Sequence, residues 1–276
     1  MINCGSHGQI REWLIMLNII NISAVPTYED NYIWVIHQNG KAIAVDPGDA
    51  APLLDWLARN ELQLAGILIT HHHWDHITGL AALTQANLSQ QAQLPVYGPE
   101  QIAHINRPLR GGETLNLLGE NFSVMATPGH TLDHLSYYGA GILLCGDTLF
   151  SSGCGRLFEG TAEQMFNSLQ TLAQLPAETL VCCTHEYTQS NLRFALQIEP
   201  DNPALQARAT QVAQLRERGE PSLPSTLAIE LASNPFLRCD QATVRAKVQQ
   251  HAGIDFQAES SVEVFTELRK WKDHFR

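Results

Sequence analysis

Short apolar runs separated by turn residues occupy the first two thirds of the chain, and helical patterns occupy the last third. Turn signals such as those at 46–48 and 110–112 divide the first part. The apolar runs have the length and composition of buried β-strands. They lie at 17–25, 65–69, 122–127, 141–146 and 179–184. A small-residue stretch at 77–83 predicts the first turns of a helix directly after the second run.

The pattern changes after His185. Helical periodicity dominates from there to the end and is interrupted by proline-containing segments at 199–203 and 220–224. The tail places Val264, Leu268, Trp271 and Phe275 at spacings of four, three and four, which predicts an amphipathic helix docked on the body. We therefore predict a layered α/β domain at 17–186 and a mostly helical domain at 187–276.

The composition of the chain excludes some classes of function. A chain of 276 residues with 44% hydrophobic content can bury one large core and a small accessory domain. Its 28 acidic and 17 basic residues give a net charge of -11, which argues against a nucleic-acid partner, because phosphates need clustered cations. The longest apolar runs are shorter than a membrane span, so no membrane partner is expected. Six cysteines without disulfide or zinc-finger spacing favour the cytoplasm.

The segment T-H-H-H-W-D-H at 70–76 concentrates metal-binding side chains at a corner between a strand and a helix. Alternate residues of an extended segment share a face, so His71 and His73 can converge on one cation while His72 points away. Asp75 and His76 can reach a second cation. Imidazoles and a carboxylate without thiolates suit a catalytic zinc, iron or manganese site. The plain alternatives are a polar loop that is rich in histidine or a fragment of an affinity tag, but a tag would lie at a terminus and lack Asp75.

Three further candidate ligands follow apolar runs: His130, Asp147 and His185. Each would lie at the carboxyl end of a strand, where layered α/β folds gather their sites. The set of seven is too large for one tetrahedral zinc and suits two metals that share a carboxylate. His134, four residues after His130, is a candidate for contacting a ligand and orienting it.

These motifs resemble a known family. T-H-x-H-x-D-H followed by G-H-T, G-D-T and T-H-E-Y is similar to the metallo-β-lactamase superfamily, and within it to glyoxalase II, the hydroxyacylglutathione hydrolases. Segments 153–161, 183–188, 223–226, 234–236 and 269–275 extend the resemblance from about residue 16 to the end. It implies an N-terminal extension at 1–16, an αββα sandwich at 17–186 and a helical substrate-binding domain at 187–276.

The resemblance also implies roles for the ligands. Three histidines, His71, His73 and His130, would hold the first metal. Asp75, His76 and His185 would hold the second, and Asp147 would bridge them. Two divalent ions are expected, zinc first, with iron or manganese as alternatives.

By the same resemblance, glutathione would be held by Arg156, Phe158, Tyr187, Arg269 and Lys272. Without the resemblance, Arg269 and Lys272 would be interpreted as a solvated helix face. The chain departs from the family at two places. Lysine and tyrosine are frequent in the family where this chain has Arg156 and Phe158, so a hydroxyl contact is lost. Asp133 stands where the family has glycine, which alters the turn before His134.

The expected activity is hydrolysis of the thioester of S-(2-hydroxyacyl)glutathione, such as S-D-lactoylglutathione, to glutathione and D-lactate, the second step of methylglyoxal detoxification. A hydroxide bridging the metals would attack, with Asp75 and Asp147 as catalytic residues. The main alternative is a single-iron glutathione persulfide dioxygenase of the same superfamily. A non-catalytic metal-binding or nucleic-acid-processing module is a second rival, disfavoured by the charge. The protein is expected to act as a cytoplasmic monomer.

Overall fold

The computed structural model describes residues 20–87, 93–253 and 256–275. The predicted N-terminal extension at 1–16 lies outside these residues. The described chain contains two six-stranded sheets, a small two-stranded sheet and helices packed on the outer faces. This arrangement confirms the predicted αββα sandwich followed by a helical region.

The first sheet follows chain order. Its strands are β1 (Asn21–Thr27), β2 (Asn31–Gln38), β3 (Lys41–Val45), β4 (Gln63–Leu68), β5 (Val96–Pro99) and β6 (Arg107–Leu109). Pairing is antiparallel from β1 to β3 and parallel from β3 to β6. Three helices belong to this half: α1 (Ala50–Arg59), α2 (Trp74–Ile77) and α3 (Leu80–Asn87). The parallel pairing brings the carboxyl ends of β3, β4 and β5 to one edge.

The second sheet has a different order. It is built from β7 (Thr114–Leu117), β8 (Glu120–Ala126), β9 (Leu135–Gly139), β10 (Ile142–Gly146), β13 (Leu180–Cys183) and β14 (Ser225–Thr226). The spatial order is β14-β13-β10-β9-β8-β7, and β10 and β13 are parallel. The hairpin of β11 (Leu149–Phe150) and β12 (Gly153–Cys154) precedes α4 (Ala162–Leu172). The parallel pair places the ends of β10 and β13 at one edge as well.

Strand β2 shows how the layers form. Trp34 and Ile36 belong to the core between the sheets, whereas Ile33 and Val35 belong to a second core under the outer helices. Successive side chains of a strand point to opposite faces, so the apolar stretch 32–36 of β2 is stable only with both faces covered. This explains why the strand pattern lacks polar alternation.

The last third is mostly helical. Its helices are α5 (Thr188–Ile198), α6 (Pro203–Glu217), α7 (Leu227–Ser233), a 3-10 turn (Pro235–Leu237), α8 (Ala242–Ala252) and α9 (Ser261–His274). Ser260 and Glu263 form a capping box at the start of α9. Val264 and Leu268 are buried, and Trp271 packs against the same core, as the spacing predicts.

Two local features differ from the sequence expectations. The helix expected from residue 77 is two elements, because α2 ends at Ile77 and α3 begins at Leu80. Gly79 lies between them with its N–H donating to the carbonyl of Pro47, too close for any side chain. The second difference is β14, a strand inside the region expected to be helical, which pairs with β13. The helical region therefore contributes directly to the second sheet.

None of the helices in the described ranges combines the length and apolar character that crossing a bilayer requires.

Candidate metal centre and cleft

The structure brings all seven predicted metal ligands together at one edge of the sandwich. They follow the ends of β4, β8, β10 and β13. Their donor atoms form overlapping groups in which all atoms lie within 4.8 Å of one another. The groups are His71 with His73 and His130, Asp75 with His76 and His185, and His71 with His76 and Asp147. The ligands therefore form two adjoining sites, and the group of His71, His76 and Asp147 connects them.

The first group is defined by imidazole nitrogens that face one another. Nδ1 of His73 lies 3.0 Å from Nε2 of His130. Nε2 of His71 is buried in the same group and has no hydrogen-bond partner in the described chain. Three nitrogen donors aimed at one point form an arrangement that could hold a cation.

The second group surrounds two carboxylates. Nε2 of His185 lies 3.4 Å from Oδ2 of Asp75 and 3.3 Å from Oδ2 of Asp147. Nε2 of His76 lies 3.5 Å from the other oxygen of Asp147. Oδ2 of Asp147 is also 3.5 Å from Nε2 of His130, which belongs to the first group. Asp147 is therefore placed between the two groups.

The outward ring nitrogen of four histidines has an oxygen partner, and sequence analysis did not identify these partners. The hydrogen bonds of His71, His130 and His185 favour a proton on the ring nitrogen that faces away from the centre. The nearby carboxylate of Asp46 attracts the proton of His76 to the same position, so in each ring the nitrogen facing the centre is the one available to a metal. The pairs are His71 Nδ1 with Thr70 Oγ1 at 2.9 Å, His76 Nδ1 with Asp46 Oδ2 at 3.0 Å, His130 Nδ1 with the Arg156 carbonyl at 2.8 Å, and His185 Nδ1 with Asp30 Oδ1 at 2.8 Å.

Asp46 has the largest role among these partners. Its carboxylate accepts hydrogen bonds from both the N–H and the Oγ1–H of Thr70, each at 2.7 Å. Its backbone has a φ of 52°, an uncommon value for a residue other than glycine. Asp46 begins the segment interpreted only as a turn signal. An aspartate directly after a buried strand was the available hint.

His134 contacts Asp147, in line with its predicted orienting role. The N–H of Asp147 donates to Nε2 of His134 at 3.1 Å. Nδ1 of His134 lies 3.0 Å from Thr127 Oγ1 and 3.1 Å from Thr148 Oγ1. Because Nε2 accepts, the proton resides on Nδ1, and the buried ring fixes the backbone of Asp147.

The local charges favour a bound cation. Burial lowers the pKa of His71 well below its usual value, and the adjacent His76 lowers it further. Burial also acts to lower the pKa of His185, but the carboxylates of Asp147 and Asp30 outweigh this and raise it to about 10. For Asp147, burial acts to raise the pKa, and the charges of His185 and His76 lower it instead. Burial thus keeps His71 neutral, while the carboxylates around His185 attract positive charge, whether a proton or a metal ion.

Unpartnered atoms show that the residues fit a metal. His71 Nε2, His76 Nε2 and Asp147 Oδ1 are buried without a hydrogen bond to any described residue. Each such atom costs about 1–3 kcal/mol unless something compensates it. All three belong to one group of potential ligands, and a metal ion between them would satisfy all three at once.

A cleft of about 600 Å³ extends from these ligands toward α5 and α9. All five predicted substrate-binding residues line it: Arg156, Phe158, Tyr187, Arg269 and Lys272. The Tyr187 ring stacks on His185 at 4.7 Å. Phe158 lies edge-on to His73 and His130, although it is 63% exposed. Aromatic rings therefore flank both halves of the candidate metal centre.

The cations of the cleft differ in burial. The Arg156 side chain is 65% exposed, whereas Arg269 is only 4% exposed. Arg269 donates to the carbonyl of Cys154 and to Asp273, each at 2.9 Å. Arg269 is thus not part of a solvated helix face. Burial and the adjacent charge of Arg269 together lower the pKa of Lys272 to about 8.

Comparisons with known proteins agree with this arrangement. Residues 27–185 match the family model described as metallo-beta-lactamase superfamily, and residues 186–275 match the model described as hydroxyacylglutathione hydrolase C-terminus. A curated protein of Dechloromonas aromatica (strain RCB), named hydroxyacylglutathione hydrolase, is 50% identical over 268 residues, which covers 93% of this chain and 100% of that protein.

Two solved structures share the fold. BLEG-1 B3 metallo-beta-lactamase aligns with a TM-score of 0.60 and 24% identity, covering 79% of this chain and 99% of that one. TTHA1623 in a di-iron-bound form aligns with a TM-score of 0.56 and 25% identity, covering 78% and 100%. The superfamily match and the His and Asp clusters together imply that this chain binds divalent metal ions.

Proposed function

Because this chain belongs to the hydroxyacylglutathione hydrolase family of the metallo-β-lactamase superfamily, we propose that it hydrolyses the thioester of S-(2-hydroxyacyl)glutathione. S-D-lactoylglutathione is the expected substrate, and the products are glutathione and D-lactate, as in methylglyoxal detoxification. The observation that carries the proposal is the single cleft shared by the metal-ligand groups and the cationic end of α9. The match over 186–275 favours this activity over the persulfide dioxygenase alternative.

We propose that the centre holds two metal ions. Zinc is the preferred assignment, and iron and manganese are the alternatives. His71, His73 and His130 would hold one ion and Asp75, His76 and His185 the other, with Asp147 shared. Nitrogen and oxygen donors without thiolates suit all three metals. The di-iron-bound neighbour supports a binuclear site on this fold. Bound metals would lower the pKa of a water between them and polarise the thioester carbonyl.

We assign to Asp75 the role of orienting the attacking water. Nδ2 of Asn31 donates to its Oδ2 at 3.0 Å, which holds the carboxylate toward the centre. His134 holds the backbone of Asp147 in the same way. Fixed partners keep both carboxylates in position, so little reorganisation is needed during the reaction. The departing thiolate is weakly basic, so the site needs no strong acid beside it.

The other end of the cleft would bind glutathione, whose two carboxylates match its cations. Lys272 is placed to pair with one carboxylate. Arg269 lines the cleft while its guanidinium joins α9 to the carbonyl of Cys154. Tyr187 and the exposed Phe158 would contact the peptide, and Arg156 would contribute charge at the rim. In this chain Phe158 supplies a ring and no hydroxyl.

We propose that the protein acts in the cytoplasm as a monomer. The five cysteines of the described residues are free and buried, which suits a reducing compartment. We place the boundary between the two domains at residue 186. One sheet joins the two parts, because β14 of the second part pairs with β13 of the first.

The test is to incubate the zinc-loaded protein with S-D-lactoylglutathione and follow loss of the thioester and release of thiol. We expect turnover together with about two bound metals per chain. A protein that leaves this thioester intact, and instead consumes oxygen with glutathione persulfide and one iron, would overturn the proposal.

A further inference from the structure

His72, the one histidine of the 70–76 motif that points away from the metal centre, lies between two carboxylates. Its Nδ1 is 3.0 Å from both oxygens of Asp133. Its Nε2 is 3.4 Å from Oε1 of Glu159. Asp133 is the residue that stands where the family has glycine, and in this chain its side chain contacts His72.

These three residues belong to three different loops around the first metal group. His72 lies between His71 and His73 in the chain. Asp133 follows His130 by three residues. Glu159 lies next to Phe158, in the loop proposed to contact glutathione. A change at His72 can therefore affect both the metal ligands and the substrate loop.

The substrate loop is bonded to the His130 loop at several points. The N–H of Phe158 donates to the carbonyl of His130 at 3.1 Å, and the Arg156 carbonyl lies 2.8 Å from Nδ1 of the same residue. Oε2 of Glu159 accepts the N–H of Leu132 at 2.9 Å. These bonds hold the substrate loop against the His130 loop, and His72 adds the connection to the ligand loop after β4.

Asp133 is held more firmly than a surface ion pair. Its side chain is only 10% exposed. Oδ1 accepts the hydroxyl of Thr131 at 2.6 Å, and Oδ2 accepts Nε2 of Gln101 at 2.7 Å. Exposed ion pairs contribute little, but a mostly buried carboxylate with several donors fixes the groups that contact it.

We propose that His72 is a positioning residue whose contact with Asp133 sets the geometry of His73 and His130, and whose contact with Glu159 sets the loop carrying Arg156 and Phe158. The part of this inference that concerns the substrate loop and KM rests on the proposed function. The donor atoms of His72, Asp133 and Glu159 are close enough to hold an ion. Both Asp133 oxygens already accept hydrogen bonds, so we assign no metal to this cluster.

The experiment compares His72→Ala, His72→Asn and Glu159→Gln with His104→Ala, a control at an exposed histidine outside the cluster. Zinc affinity is measured by chelator competition, and KM and kcat are measured on reloaded protein. His72→Ala should weaken zinc binding at the group of His71, His73 and His130 about tenfold, the size of effect typical for loss of a contact that orients a ligand, and it should raise KM. His72→Asn keeps a donor near the Nδ1 position, so it should restore zinc affinity and leave KM raised. Glu159→Gln should raise KM alone.

Three results would overturn the proposal. The first is a His72→Ala protein with the zinc affinity and KM of the His104→Ala control. The second is a failure of His72→Asn to restore zinc affinity. The third is loss of an additional equivalent of zinc in His72→Ala, which would make the cluster a metal site. A parent protein that binds zinc but does not cleave the thioester would refute the proposed function. The effect of His72 on zinc affinity could still be measured in that protein, because chelator competition needs no substrate.

Discussion

Oδ1 of Asp30 lies 2.8 Å from Nδ1 of His185, although 155 positions separate the two residues. Asp30 ends the turn between β1 and β2, and His185 follows β13 of the opposite sheet. The adjacent backbone reinforces the contact, because the N–H of Tyr32 donates to the carbonyl of Thr184. A hairpin of the first sheet thus orients a candidate ligand carried by the second.

Replacing Asp30 with alanine should weaken binding at the second metal position about 10- to 100-fold, because the His185 ring loses the acceptor that orients it. Chelator competition on the purified protein measures this. Asp55→Ala, which removes a carboxylate from an exposed pair with Arg59, is the matched control. Equal metal affinity in the two variants would show that Asp30 does not orient the ligand.

Replacing Asp147 with alanine should release metal and abolish turnover, since one of its oxygens faces His76 of the second ligand group and the other faces His130 of the first. Metal analysis and the thioester assay measure the two effects. Asp147→Asn keeps the shape without the charge and should retain part of the metal. Full activity with two metals bound to the alanine variant would contradict the assignment.

Replacing Arg269 and Lys272 together should mainly raise KM, and the structure predicts that the single variants differ. Lys272→Ala should raise KM with little change in stability. Arg269→Ala should also lower the free energy of unfolding by about 1–3 kcal/mol, because a buried hydrogen-bonded side chain is lost. Steady-state kinetics and denaturant unfolding separate the two effects. An unchanged KM in the double variant would remove both residues from the substrate site.

The value of kcat/KM should fall as the pH rises through about 8, the lowered pKa of Lys272. Below that pH the ammonium is charged and attracts a carboxylate, and above it the amine is neutral. Lys272→Arg keeps the charge and should flatten this limb of the profile, with the exposed Lys270→Arg as control. A profile that keeps the same limb in Lys272→Arg would assign it to another group.

Replacing Phe158 with tyrosine should lower KM by about two- to tenfold, the equivalent of one hydrogen bond worth 0.5–1.5 kcal/mol. The ring is 63% exposed and lines the cleft, so a hydroxyl can be added without repacking. Kinetics with S-D-lactoylglutathione provide the measurement. Phe158→Leu is the control, and it should raise KM. A tyrosine variant with unaltered KM would place this ring outside the glutathione contacts.

Much of the architecture was predictable because its signals are local. Apolar runs predicted strands at 65–69, 122–127, 141–146 and 179–184, and β4, β8, β10 and β13 overlap them. The amphipathic spacing in the tail predicted α9 and its buried face. The short strand β14 escaped prediction because two residues carry no periodic pattern.

The chemistry of the site was predictable at the level of residue type. Seven candidate ligands followed from their places at strand ends, and the structure brings them together. The assignment of these seven residues to two metal ions stays a prediction. Asp30 and Asp46 were missed, because aspartates in turns are common and nothing nearby in sequence indicates which histidine they contact.

The sequence by itself determined which donor atoms are available, that they fall at strand ends, and that a helical region follows the sandwich. Only the tertiary structure decided which nitrogen of each ring faces the centre. That choice depends on Asp46 lying beside His76 and Asp30 beside His185, contacts made between segments far apart in the chain. It also decided that Arg269 is buried and that His72, which the sequence already placed away from the metals, contacts Asp133. Packing of the two sheets sets these distances, and local periodicity carries no information about them.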